Sequence, residues 1–93
     1  MGPREQGTPS ETQPPSRYAE EEAERRRLRR LQIMVGMVIS VLSQDPDLTL
    51  AQANRMAADC RKAALVMFPG KELAFDLIYR PRLERVIHER FKE

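Results

Sequence analysis

Cysteine and histidine are nearly missing from this chain, with Cys60 and His88 the sole examples. One thiol cannot close an intrachain disulfide, and one Cys with one His cannot assemble a zinc centre. Long apolar runs are missing too. The greasiest stretch, Leu31 to Leu42, covers twelve residues, whereas a membrane-spanning helix takes about 20. Residues 1–17 contain no apolar segment of the kind a secretory signal requires, and Gln6 stands where myristoylation after Gly2 would call for Ser or Thr. Together with the lone thiol, these absences predict a cytoplasmic protein without membrane attachment. Charge of one sign is not in excess either. The formal net charge is +2 with 32% of residues charged, so bulk charge alone does not mark a nucleic-acid binder.

Size is the next constraint. The chain has 93 residues, enough for one domain. Residues 1–17, MGPREQGTPSETQPPSR, hold four prolines and two glycines and no aliphatic or aromatic residue beyond Met1. Such a segment cannot offset the entropy of ordering its backbone, and a disordered tail is predicted there. The remaining roughly 75 residues make a marginal core, one that needs tight packing or a partner.

The pattern from residue 18 to 93 is helical throughout, with no strand alternation and no repeat. Ala19 to Arg30 contains only good helix formers. Glu20, Glu21, Glu22 and Glu24 fall in the first turns, where the helix dipole favours negative charge, and Glu21–Arg25 and Glu22–Arg26 are spaced for pairing. Residues 18–30 therefore read as a charged helical extension. Beyond it, Leu28, Leu31, Val35, Val38 and Leu42 recur three and four apart as one seam. Ile33, Met34, Met37, Ile39 and Val41 widen the apolar arc to most of the circumference, with Gln32, Gly36 and Ser40 as a narrow interruption. A helix so apolar must be covered from at least two sides. If its own chain does not cover it, the remainder is a face for a second copy or for another protein.

Gln44-Asp45-Pro46-Asp47 breaks the helix. Thr49 with Gln52 forms a capping box for a second one, with Leu50, Ala53, Ala57, Cys60, Ala64 and Met67 on a mostly small inner face. Phe68-Pro69-Gly70 ends it. Lys71 to Tyr79 reads as a third piece with Leu73, Leu77 and Ile78 inward. Pro81 then predicts a kink or fresh start before a last stretch with Leu83, Val86, Ile87 and Phe91 on one face. The expected fold is all-α, a small three-helix bundle whose third helix is kinked or split at Pro81.

Residues that carry chemistry offer little. Cys60 lies on an apolar seam and reads as a small core hydrophobe; a nucleophile would want a neighbouring His and a cause for a lowered pKa. His88 reads as a solvent-facing residue on the flank of the last helix. No pair of carboxylates stands in an apolar setting, and Gly36 and Gly70 make no phosphate loop. Neither an enzymatic role nor a cofactor, metal or small-molecule ligand is expected. The strongest local signal is Arg25, Arg26, Arg27, Arg29 and Arg30, five arginines within six residues. They could grip phosphates, aided by Arg82 and Arg85. The glutamates upstream leave residues 18–30 at only +1, however, and a helix spreads these arginines around its axis. The leading expectation is a small interaction module, an adaptor, regulator or structural subunit, that binds itself or another protein. Leu31, Val35, Val38 and Leu42 are the candidate association seam, unless the chain's own core uses them. A nucleic-acid-binding regulator built on the arginines is the alternative.

Overall fold

The computed structural model describes residues 16–92. Residues 1–15, which make up most of the expected tail, lie outside them. Of that tail's last two residues, Ser16 caps the first helix and Arg17 begins it.

The architecture is all-helical, with four helices where three were expected: α1 (Arg17–Gln44), α2 (Leu50–Met67), α3 (Glu72–Ile78) and α4 (Arg80–Phe91). The additional helix comes from the third expected piece, which is two separate helices meeting at Tyr79. Pro81 sits in the first turn of α4, where its missing N–H is least costly.

Local chemistry sets each start and stop. At α1 the Ser16 hydroxyl accepts a hydrogen bond from the Ala19 N–H at 3.1 Å. The capping box of α2 is complete: the Thr49 hydroxyl accepts from the Gln52 N–H at 3.1 Å, and the Gln52 side chain accepts from the Thr49 N–H at 2.9 Å. These bonds satisfy amides that the helix itself leaves without partners. Gly70, with φ of 80°, takes the left-handed turn between α2 and α3, a conformation that costs glycine little.

Contacts at the two ends of the bundle fix the directions of α1, α2 and α4. Leu28 and Leu31 of α1 meet Leu65 and Phe68 at the end of α2, so the two helices run antiparallel. Tyr79 lies at that same end, while Arg90 reaches Leu42 and Asp45 at the other. Hence α4 lies alongside α1 and runs parallel to it. α3 packs on α2 and α4 but not on α1. The core between α1, α2 and α4 contains Leu31, Val35, Leu42, Ala53, Cys60, Ala64, Phe75, Tyr79, Leu83 and Ile87. Val38 packs against it, half-buried. The alanines of α2 let its backbone approach the larger side chains of α1 and α4.

Burial corrects the reading of α3. Leu73, Leu77 and Ile78, expected inward, are exposed. Phe75 and Tyr79 take the inward side instead, their ring centroids 5.6 Å apart. In so short a helix only one narrow face can reach the core. The aromatic pair, four residues apart, has the greater area to bury.

One long-range contact closes the fold. The Arg90 guanidinium donates to the carbonyl of Leu42 at 2.6 Å and to that of Asp45. A cation from the last helix thus caps the C-terminal end of the first, where orphan carbonyls and the negative end of the helix dipole coincide.

Candidate protein-interaction surface

The seam of Leu31, Val35 and Leu42 is turned into the chain's own core, with exposures of 5%, 1% and 0%, and Val38 is packed beside it. These residues therefore contact α2 and α4, while other apolar residues of α1 remain outside. Ile33, Met37 and Val41 are 57%, 64% and 41% exposed. At 3.6 residues per turn, Ile33 and Met37 lie about 160° around the axis from Val35. They form an uncovered apolar row on the face opposite the core. Gly36 flanks this row, and a Cβ built on it would meet nothing within 4 Å. No packing inside the chain calls for a glycine there.

The arginines of α1 divide by face. Arg25 pairs with Glu22 at 3.0 Å, and Arg27 lies over the Phe68 ring, 5.9 Å from its centroid. Arg26, Arg29 and Arg30 are exposed and form no ion pair among the described residues. By helical geometry these three share the outer side of α1 with Ile33 and Met37. Arg82 and Arg85 are exposed on α4, likewise without an ion pair among the described residues. The outer face of α1 is thus basic toward its N-terminal side and apolar in the middle. Asp45, half-buried at the C-cap of α1, lies instead on the side toward α4, where its carbonyl accepts from Arg90 while its carboxylate accepts from the Asp47 N–H at 3.0 Å. In the sequence only the widening of the apolar arc by Ile33, Met34, Met37, Ile39 and Val41 hinted at this face, and such an arc equally fits a fully covered helix.

A second apolar region lies at the α1–α2–α3 end. Because α3 does not pack on α1, a cleft of about 260 Å³ remains between Leu28 and Leu31 on one wall and Ala74 and Ile78 on the other. Phe68, Phe75 and Tyr79 also line it, and Lys71 stands among the lining residues. Leu73 and Leu77, exposed on α3, continue the apolar character outward.

Polar groups elsewhere are arranged as struts. Arg61 of α2 grips Asp76 of α3 through two hydrogen bonds of 2.8 and 3.1 Å. Arg80 then approaches Asp76 at 3.9 Å and Glu84 at 3.0 Å, which extends the chain of charges to α4. The Arg61 hydrogen bond holds the Asp76 carboxyl below its ordinary value, against the opposing effect of partial burial. The Cys60 thiol is 3% exposed, and burial pushes its pKa up, the opposite of what a nucleophile needs. His88 is exposed on α4.

Comparison with protein-family models, curated proteins and solved structures finds no match to this chain. The chemistry of its surface is therefore the guide to its use. Among the described residues, no helix is long and apolar enough to cross a membrane, and no three His, Cys, Asp or Glu side chains group as metal ligands.

Proposed function

We propose that this chain is a small non-catalytic protein–protein interaction module, an adaptor, regulator or structural subunit that associates with itself or with another protein. The observation that carries the reading is the uncovered row Ile33–Met37–Val41 on a helix whose opposite side already fills the core. Apolar side chains this exposed, aligned on one rigid helix, lose contact with water only when another molecule covers them. The apolar cleft at the α3 end supports the same reading.

Two measurements test it. The molar mass in solution, followed across concentration, reports self-association. Proteins retained from the native host are then compared between the full chain and a variant carrying Ile33→Lys, Met37→Lys, Leu73→Lys and Leu77→Lys. All four positions are exposed, so the variant is expected to fold. The expected result is association that the variant loses. A monomer whose retained proteins are unchanged in the variant overturns the proposal.

The alternative, a nucleic-acid-binding regulator, draws on the same outward Arg26, Arg29 and Arg30. Binding to duplex DNA and to RNA that falls steeply with salt would favour it. The apolar row beside those arginines favours a protein partner, since a phosphate backbone has no use for Ile33 and Met37.

A further inference from the structure

We infer that the cleft between α1, α2 and α3 binds a medium-chain aliphatic carboxylate, its tail on the apolar floor and its head at Arg27 and Lys71. The site is separate from the outward row of Ile33 and Met37, and it gives the chain a small ligand besides the protein partner proposed above.

The floor selects the tail. Leu31, Ala64, Phe75 and Tyr79 line the cleft and are at most 9% exposed, so its base is the back of the hydrophobic core. Leu28 and Ile78, 41% and 56% exposed, stand nearer to solvent on opposite walls. These apolar groups face one another across a space, unlike a row on a single helix. The volume of about 260 Å³ falls just under the roughly 300–1,000 Å³ of pockets for drug-sized molecules. A flexible chain of methylenes can lie there, whereas a helix about 10 Å across cannot enter between the other three.

Charge at one end selects the head. The Arg27 guanidinium lies over the ring of Phe68, a lining residue, at 5.9 Å from its centroid. Lys71 also lines the cleft, and its N–H donates to the Phe68 carbonyl at 3.3 Å. Both cations are exposed, and neither forms an ion pair among the described residues. The carboxylates of α3 are engaged elsewhere. Arg61 grips Asp76, and Glu72 lies close enough to Arg61 to help hold its charge. The acidic side of α3 is thus turned to Arg61, and Lys71 is left at the cleft. On α1, Glu24 stands one turn before Leu28. Two cations against this one carboxylate leave the rim a surplus of one positive charge, the complement of a monoanion. The guanidinium fork of Arg27 can donate to both oxygens of such a carboxylate.

Titration calorimetry and amide NMR shifts of the full chain with octanoate test this. Octanoate binds with a dissociation constant on the order of 0.1–1 mM, as suits a small ligand in an open cleft. Decanoate binds more tightly, by up to about fourfold per added methylene. The amides that shift are those around Leu28, Phe68, Lys71 and Ile78, not those of Ile33, Met37 and Val41. Octylammonium, with the same tail and the opposite head, binds about threefold more weakly, on the order of one rim charge pair. Arg27→Glu with Lys71→Glu reverses that preference, and Arg27→Lys with Lys71→Arg retains it. Ala74→Phe, at an exposed lining position, fills the cleft and abolishes binding. Leu28→Glu, which sets a carboxylate at the mouth, weakens octanoate as well and serves in its place should Ala74→Phe fail to fold. Absence of binding at millimolar octanoate, equal affinity for the two head groups, octanoate binding unchanged in these variants, or shifts spread along the Ile33–Met37 row overturns the assignment. The protein-contact reading is tested at Ile33, Met37, Leu73 and Leu77, none of which lines the cleft, so either reading can fail while the other stands.

Discussion

Replacing Arg90 by Met isolates the closing contact of the fold. Met keeps most of the aliphatic stem, so packing is largely preserved while the guanidinium is removed. Two hydrogen bonds disappear, to the carbonyls of Leu42 and Asp45. A hydrogen bond with one charged partner contributes about 1.5–3 kcal/mol, and a cation at a helix C-terminus adds about 0.3–1 kcal/mol. Water can reach part of this half-buried site and replace some of what is lost. The expected cost is therefore about 2–4 kcal/mol. In a domain of this size, 1 kcal/mol moves Tm by about 4–8 °C, so Arg90→Met should melt at least about 8 °C lower. Urea denaturation followed by circular dichroism gives the free energy directly, with an unchanged slope showing that only stability has altered. Arg90→Lys, a point charge without the planar fork, should recover part of the loss. A loss below about 0.5 kcal/mol for Arg90→Met, within the range of ordinary surface substitutions, would refute the idea that α4 caps α1.

Other perturbations address separate parts of the structure. Leu42→Ala and Leu83→Ala remove two of the most completely buried side chains and should each cost about 2–5 kcal/mol, enough to leave a small domain largely unfolded by circular dichroism. Gly36→Ala fills open space in the middle of a helix and should stabilise the monomer by up to about 1 kcal/mol in urea titration; destabilisation would mean that something packs there. Asp76→Asn tests the strut between α2 and α3. Because the folded carboxyl titrates below its unfolded value, the stability its pairing supplies is complete above the unfolded pKa of about 3.9 and disappears as pH falls through the lower folded value. The gap between wild type and Asp76→Asn in urea titrations should be widest at neutral pH and close in strong acid, and a gap independent of pH would discount the pairing.

Periodicity made much of this legible from residues alone. The Thr49–Gln52 capping box, the alanine face of α2, and Leu83 and Ile87 of α4 follow from local pattern and stand as expected. What periodicity could not supply was competition between faces. On α3 it pointed Leu73, Leu77 and Ile78 inward, whereas the structure places Phe75 and Tyr79 in the core. On α1 the apolar residues cover so much of the circumference that their spacing could not say which would stay outside. Arg90 was invisible for a different reason. Its partners are backbone carbonyls more than forty residues away, and carbonyls leave no trace in a sequence.

The connections between helices carry a kinetic consequence. Five residues join α1 to α2, four join α2 to α3, and one joins α3 to α4. Most packing partners are therefore close along the chain, the regime of low contact order in which domains fold within microseconds to milliseconds. The docking of α4 on α1 is the exception, since it must close a loop that contains both intervening helices. That closure becomes less costly once α2 has folded back on α1. The hairpin of the first two helices is then the natural nucleus, and the guanidinium of Arg90 fastens a bundle whose topology is already decided.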